Sequence, residues 1–426
     1  MKLNSYHALN QQMISHTCGN GLKICVFPKA GFKRAYAMLA VNYGSIDISF
    51  THDGELYTSP LGVAHFLEHK VFEQPDGGNA LQTFAKTGAS PNAFTSKTMT
   101  AYHFSGTEKF MKNLEILLDF VMSPYFTDEN VRKEQGIIGQ EIGMVNDRPS
   151  WRVYENLMSA LYSVHPAKDS IIGTVGSIGK ITREILFKCY NTFYVPSNMT
   201  LCVAGDVSAE KIISTAESMM PRERISLPSR DYGCEPYSVR KRHVSEKCEV
   251  AVPMFAIGAK YETVTNGEQG MKKRVTAELA ADVLGGPSSP LYSRLYGNGM
   301  IGADFESSAM FFPNSVSVIL AGEGRDAEKI YGEVLNEAEL LGKDIDDGYF
   351  NRVKKAYIGS RMRALDDVGT LCREQAESVL CGFDSLDMIS AAEETSADEV
   401  RRFIKNMFEC ERTSLSVVSG GVGEDD

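Results

Sequence analysis

The sequence predicts an α+β protein of two similar domains, each a mainly antiparallel sheet covered by helices on one side. Three observations carry this expectation. Strand-like and helix-like stretches are interspersed without the strict alternation that a parallel sheet requires. The order and spacing of elements in the first half recur in the second. Between the halves, Pro221 to Pro236 is rich in Pro, Arg and Ser and has no clean period, as a linker would be.

In the first half, alternation at Tyr102 and Phe104 marks a strand that runs into a helix from about Glu108 to Met122. After Ser123-Pro124-Tyr125, Asp128 is placed to cap a second helix through Glu129, Asn130 and Val131. In the second half, the strand Val316-Ser317-Val318-Ile319-Leu320 leads to a helix from Ala327 to Leu341. Another helix starts near Asp346-Asp347 and runs through Tyr349 to Leu365. Both halves close on a similar strand, Met199 to Gly205 in the first and Thr413 to Ser419 in the second. The expected domains are residues 1–220 and 241–426, with 221–240 as the linker.

At 426 residues the chain can fill two or three cores of ordinary size, and 43% hydrophobic with 23% charged residues is a globular composition. A formal charge of −11 argues against a nucleic-acid surface and gives little attraction to anionic membranes. The opening residues lack the apolar core of a signal peptide, and no apolar run approaches 18 residues. Nine scattered cysteines without a C-x-x-C pair read as reduced, packed thiols. A cytoplasmic location is expected.

The chemistry concentrates in the segment Thr58 to Phe72. Thr58 or Ser59 is suited to cap a helix, and Pro60 to its first turn. Val63, Ala64, Phe66, Leu67, Val71 and Phe72 leave almost no solvent-facing side, so the helix is expected to be buried. His65, Glu68 and His69 nonetheless fall at i, i+3 and i+4, on one stripe. Three ionisable groups on a buried helix are costly unless they share a partner, and a metal ion removes that cost. Two histidines one turn apart can direct ring nitrogens to one zinc ion at about 2.0–2.1 Å. The glutamate between them can reach a water on that ion and act as general base. A bare H-x-x-E-H is suggestive; on a buried apolar helix it outweighs a pair of structural core histidines.

A third ligand is sought on the helix Val131 to Ile142. Glu134 and Glu141 lie two turns apart on one face. Glu141 stands among Ile137, Ile138 and Ile142, where a carboxylate needs a cation, and Glu134 could steady a ligand or the water. A solvated acidic stripe accounts for the same spacing equally well.

At these residues the chain resembles the pitrilysin-like (insulinase-like) zinc metallopeptidases, the inverzincins, and within them the short branch related to mitochondrial processing peptidase. That family carries the inverted H-x-x-E-H, then a zinc-binding glutamate seventy-odd residues later with an accessory glutamate seven residues before it. The resemblance makes Glu141 the third metal ligand and Glu134 the accessory catalytic residue. Gly88 to Thr95, followed by Thr100 and Tyr102, looks like the family's G…NA.T…T.Y stretch. It implies that peptide substrate adds as a strand alongside Asn92, Ala93 and Phe94. Asn20 to Lys23, Tyr194 to Met199 and Leu284 to Tyr296 are also similar, so the likeness spans essentially the whole chain.

The resemblance implies two domains of similar fold, closing with a second bowl around a chamber that admits peptides and unfolded segments. It is nearest to a bacterial subgroup in which two such proteins are encoded together, this chain being like the zinc-carrying member. One departure stands out. Many members carry an Arg and a Tyr within a segment resembling R-x-x-x-G-L-x-Y, and neither is in place along Leu295 to Phe305. The second half also lacks H-x-x-E-H, and Val353 and Ser360 stand where Glu134 and Glu141 would recur.

The resulting expectation is a zinc endopeptidase or oligopeptidase for short or unfolded peptides, including the precursor of a modified peptide. Zn²⁺ would be held by His65, His69 and Glu141, with Glu68 as base. The missing grip points to a heterodimer with a zinc-less relative, and a homodimer is the runner-up. The rival from another class is a non-catalytic scaffold or peptide-binding subunit. A purely structural zinc domain is disfavoured, because such sites usually take four protein ligands, often Cys, and no cysteine lies near the motif.

Overall fold

The computed structural model describes residues 1–6, 9–75 and 77–420. The chain opens with strands β1 (Lys2–Tyr6), β2 (Gln11–Thr17), β3 (Lys23–Pro28), β4 (Ala35–Val41), β5 (Ser49–His52) and β6 (Glu55–Thr58). Helices α1 (Val63–Val71) and α2 (Ala80–Ala85) precede the hairpin β7 (Ser90–Thr95) and β8 (Thr100–Gly106). Next come α3 (Phe110–Met122), α4 (Asp128–Asn146), α5 (Pro149–Leu161), α6 (Val175–Ile178) and α7 (Arg183–Phe193). The half ends on β9 (Met199–Gly205) and α8 (Ala209–Met219).

After the two-residue β10 (Ser229–Arg230), the second half forms β11 (His243–Lys247), β12 (Met254–Glu262), α9 (Gly267–Gly285) and α10 (Pro290–Gly297). It continues with β13 (Glu306–Phe312), β14 (Ser315–Glu323), α11 (Ala327–Lys343), α12 (Asp347–Ala364) and α13 (Val368–Leu380). Helices α14 (Asp387–Glu394) and α15 (Ala397–Met407) precede the closing strand β15 (Thr413–Ser419). None of the described helices is long and apolar enough to cross a membrane.

The duplication is written in the sheets. The first sheet runs β1-β2-β3-β9-β4-β8-β7, and the second runs β11-β15-β12-β14-β13. In both, the strand that closes the half inserts centrally. It pairs parallel on one side, β3 with β9 or β11 with β15, and antiparallel on the other, β9 with β4 or β15 with β12. The second sheet therefore repeats the first without the β1–β2 hairpin.

Two compact units gather around these sheets. One comprises Met1–Ile142, Ser170–Asp231 and Met362–Leu386; the other comprises Gly143–Asp169, Tyr232–Arg361 and Asp387–Asp426. In the first unit all seven residues of β4 and of β9 are buried. Successive strand residues point to opposite faces, so both faces of the sheet centre are covered, not one as expected. The second cover is α13: Gly369 abuts the ring of Tyr36, and the Arg373 guanidinium sits 4.8 Å from the Phe94 ring centre. Tyr102 and Phe104 of β8 point the other way, onto Phe72, Phe110 and Phe120.

In the second unit α5 lies against β12 and β15. Val153, Leu157 and Leu161 of α5 share a core with Ala256, Ile319 and Val418. Gly258 lets α5 pack close, since a Cβ would stand 2.8 Å from Leu161 Cδ1 and the leucine ends would have to shift. No local pattern in the sequence assigns α5 or α13 to its sheet, because each joins strands distant from it along the chain.

Candidate metal and peptide site

Helix α1 begins later than the capping residues suggest. Thr58 ends β6, and the N-cap is Gly62, with φ +90° and no side-chain cap. A Cβ there would lie 2.7 Å from the Ile172 carbonyl oxygen, so only glycine fits both the backbone and the space. The body is buried as the apolar pattern demands: Val63, Ala64, His65, Phe66, Leu67, Lys70 and Val71 are all inside. Tyr102 donates a long hydrogen bond to the Leu67 carbonyl (3.5 Å) and bonds the Tyr194 hydroxyl at 2.9 Å, fixing α1 over the sheet.

Helix α4 is capped one residue earlier than expected. The Thr127 hydroxyl accepts from the Asn130 amide (3.1 Å), and Asn130 Oδ1 accepts from the Thr127 amide (2.9 Å). Asp128 instead sits in the first turn, where its charge suits the helix dipole. The helix brings two carboxylates to α1 in different roles. Glu141 Oε1 lies 3.7 Å from His65 Nε2, and Glu141 Oε2 lies 3.7 Å from His69 Nε2. Glu134 Oε1 accepts a hydrogen bond at 3.0 Å from His69 Nδ1.

The burial of the two carboxylates runs against the apolar-neighbour argument. Glu134 is the buried one, its side chain 8% exposed, whereas Glu141 is 36% exposed and Ile137, one turn before it, is exposed as well. Glu134 tolerates burial through two cationic contacts, His69 and Lys70 Nζ at 3.8 Å. Lys70 is itself fully buried, also pairing with Glu73 (2.6 Å) and donating to the Asn130 carbonyl (3.3 Å). Sequence reasoning missed Lys70, although a lysine on a helix otherwise apolar was the available signal. It missed Thr95 as well, whose hydroxyl donates to Glu68 Oε2 at 2.7 Å.

The electrostatics sort the groups. Burial, with a smaller contribution from His69, pulls the His65 pKa down to about 3, so this ring is neutral. At His69 burial acts in the same downward direction, but the hydrogen bond and charge of Glu134, together with the charges of Glu68 and Glu141, outweigh it and raise the pKa above 6.5. Burial raises the Glu68 carboxyl, opposed by the Thr95 hydrogen bond and by His69.

One ligand atom each from His65, His69 and Glu141 falls within 4.8 Å of the others. The two 3.7 Å separations are too long for hydrogen bonds. They approach the edge of about 3.4 Å of a tetrahedron with bonds of about 2.0–2.1 Å, so the donor set fits a zinc ion. The Nδ1 of His65 is buried without a hydrogen-bond partner among the described residues, and Glu134 fixes the tautomer of His69 so that its Nε2 is the free ligand atom.

Asn92, Ala93 and Phe94 lie on β7, which ends the order of the first sheet and pairs with β8 from Ser90↔Ser105 to Thr95↔Thr100. The Ala93 amide donates to Oδ1 of Asn92 (2.9 Å). In the second half the counterpart of α1 is α9, without a histidine, and the counterpart of α4 is α12, with Val353 and Ser360.

Residues 35–175 match the family model described as insulinase (peptidase family M16), and residues 180–357 match the M16 inactive domain. The chain is 34% identical to the uncharacterized zinc protease YmfH of Bacillus subtilis (strain 168), over 97% of this chain and 98% of that one. It superposes on an M16-like peptidase from Alicyclobacillus acidocaldarius with a TM-score of 0.93 and 32% identity, covering 96% of this chain and 99% of the other. A protease from Helicobacter pylori shares the fold at 20% identity, with a TM-score of 0.83 over 96% of this chain and 99% of that chain. With an inverted zinc motif on a buried helix, a duplicated sheet and these relatives, the chain belongs to the insulinase-like M16 peptidases.

Proposed function

We propose that the protein is a zinc-dependent endopeptidase or oligopeptidase that cleaves short or unfolded peptides, with His65, His69 and Glu141 holding the ion. The observation that carries this is the convergence of two imidazole Nε2 atoms and one carboxylate at 3.7 Å, beside a free-ended sheet strand. Held by these three residues, a zinc ion would supply Lewis-acid polarisation of the scissile carbonyl and would acidify the attacking water near neutral pH.

The chain's own residues supply the rest. Glu68 takes the proton of the attacking water and passes it to the departing amine nitrogen. Thr95 holds Oε2 of Glu68 by its hydroxyl, leaving the other oxygen to reach the substrate. Glu134 orients His69, and Lys70 Nζ stands 3.8 Å from the other Glu134 oxygen within the buried pocket. Peptide pairs with β7 at Asn92, Ala93 and Phe94, displacing the Asn92 side chain from the Ala93 amide. Main-chain pairing demands an extended segment, which favours unfolded peptides and precursor tails over folded proteins.

The active species is a heterodimer with a zinc-less relative in the cytoplasm. Its basis is that neither the Arg nor the Tyr with which many family members grip substrate is at its expected place along Leu295 to Phe305, so a second chain would supply them. The experiment is a peptide-library digest by the zinc-loaded chain alone and mixed with its relative, with mass followed by light scattering. Cleavage that needs both chains supports the reading. Full activity from the isolated monomer removes the heterodimer. No cleavage under either condition, with zinc bound, favours the scaffold reading.

A further inference from the structure

A second group of metal-ligating side chains lies elsewhere in the first unit, on residues that the peptidase centre does not use. His16 is on β2, Cys18 follows two positions on, and Glu217 is on α8. One ligand atom from each lies within 4.8 Å of the other two. His16 Nε2 and Glu217 Oε1 are already 3.0 Å apart. Cys18 is 5% exposed, while the Glu217 side chain is 48% exposed and free to close on an incoming ion.

The frame around these residues is set by other contacts. The Cys18 amide donates to the Leu22 carbonyl, and the Gly21 amide donates to the Cys18 carbonyl, both at 2.9 Å, which closes a tight turn. Gly21 holds φ +93°, and a Cβ there would stand 2.8 Å from Ser197 Cβ. Buried Asn20 accepts from the Leu22 amide (3.1 Å) and donates to the Pro221 carbonyl (2.7 Å), just past the end of α8. The turn carrying Cys18 and the helix carrying Glu217 are thus locked together without any ion. Such preorganisation lowers the ordering cost of binding.

The donor set selects the ligand. A thiolate, an imidazole and a carboxylate suit zinc and its borderline neighbours, whereas magnesium and calcium demand oxygen ligands. One thiolate and one carboxylate balance a divalent cation, so the loaded site is neutral. On binding, the Cys18 S–H bond breaks, its proton goes to solvent, and the sulfur lone pair forms the metal bond.

We propose that His16, Cys18 and Glu217 form a second binding site for a divalent cation of the zinc class, separate from the peptidase centre. The ion, with three protein ligands, would keep a position open for water. It also ties β2 to α8, and the folded state gains stability as the free ion rises above its dissociation constant.

The test uses cobalt(II), because a thiolate gives a near-ultraviolet charge-transfer band with it and the His65, His69 and Glu141 set has no thiolate to do so. The full-length protein is titrated with cobalt(II) and the band followed. The band is expected to saturate with one ion per chain at this site and to persist in the H65A/H69A double variant. It should vanish in Cys18→Ser. In Glu217→Gln, a change on an exposed side chain that leaves packing alone, the apparent Kd should rise about tenfold or more. No band at saturating cobalt, a band that survives Cys18→Ser, or unchanged affinity in Glu217→Gln would each overturn the proposal. None of these outcomes depends on peptide cleavage.

Discussion

Replacing Glu134 by Gln separates the two carboxylates of α4 by role. Glutamine keeps an oxygen that can accept from His69 Nδ1, so the 3.0 Å geometry can survive while the negative charge is lost. Losing such a carboxylate behind a ligating histidine costs metal affinity about 10- to 100-fold, and the preserved hydrogen bond places this change near the tenfold end. Tenfold corresponds to about 1.4 kcal/mol. Stripping one partner from a buried ion pair can cost about 3–5 kcal/mol when the other charge is left alone. Lys70 is not left alone, since Glu73 at 2.6 Å and the Asn130 carbonyl at 3.3 Å remain. The loss of folding stability should therefore be about 1–2 kcal/mol. The assay is zinc competition against a chromophoric chelator, run beside chemical denaturation of the metal-free protein. Affinity within about twofold of wild type would refute the coupling through His69. A loss as large as that of Glu141→Ala would make Glu134 a ligand.

Glu68→Gln should keep zinc at the α1 site and lose nearly all turnover, and a variant within about tenfold of wild-type activity would remove Glu68 as the base. Glu141→Ala should lose zinc at α1 at least a hundredfold more readily than wild type, measured by the same chelator competition. Zinc uptake should weaken as pH falls below the raised pKa of His69 and should release a proton there, whereas His65, with a pKa of about 3, contributes none. The sign for folding is opposite. In the metal-free protein the raised His69 pKa adds stability that is fully present below about 6.5 and is lost as pH rises through the folded value. Calorimetry in buffers of differing ionisation enthalpy reads the proton count, and denaturation from pH 5 to 8 reads the stability. Gly136→Ala in α4 should stabilise the metal-free protein by about 0.5–1 kcal/mol, because its Cβ meets nothing within 4 Å, and destabilisation would show a hidden constraint on that helix.

Much of the site was legible because its determinants are local. The two-turn spacing of Glu134 and Glu141 fits a solvated acidic stripe equally well, and only the family resemblance singles out Glu141, but the i, i+3, i+4 stripe of His65, Glu68 and His69 on an apolar helix is a one-dimensional pattern. The same holds for strand and helix pairs such as β14 with α11, where alternation and caps act within a few residues. What escaped depends on distant partners. The burial of Glu134 goes with its contact to Lys70, and the exposure of Glu141 with an exposed Ile137, and periodicity ranks neither. The need for glycine at the N-cap of α1 follows from the carbonyl of Ile172, which leaves no room for a Cβ at Gly62, a constraint from more than a hundred residues away. The two-sided cover of the first sheet is supplied by α13, whose own sequence reads as an ordinary amphipathic helix.

The most direct test of the zinc peptidase account is an anomalous difference map at the zinc edge, from crystals of the zinc-loaded protein. The account predicts a peak ligated by His65 Nε2, His69 Nε2 and Glu141 at about 2.0–2.2 Å. A zinc-loaded structure with no peak between these residues, or with Glu141 more than about 4 Å from the ion, would contradict it.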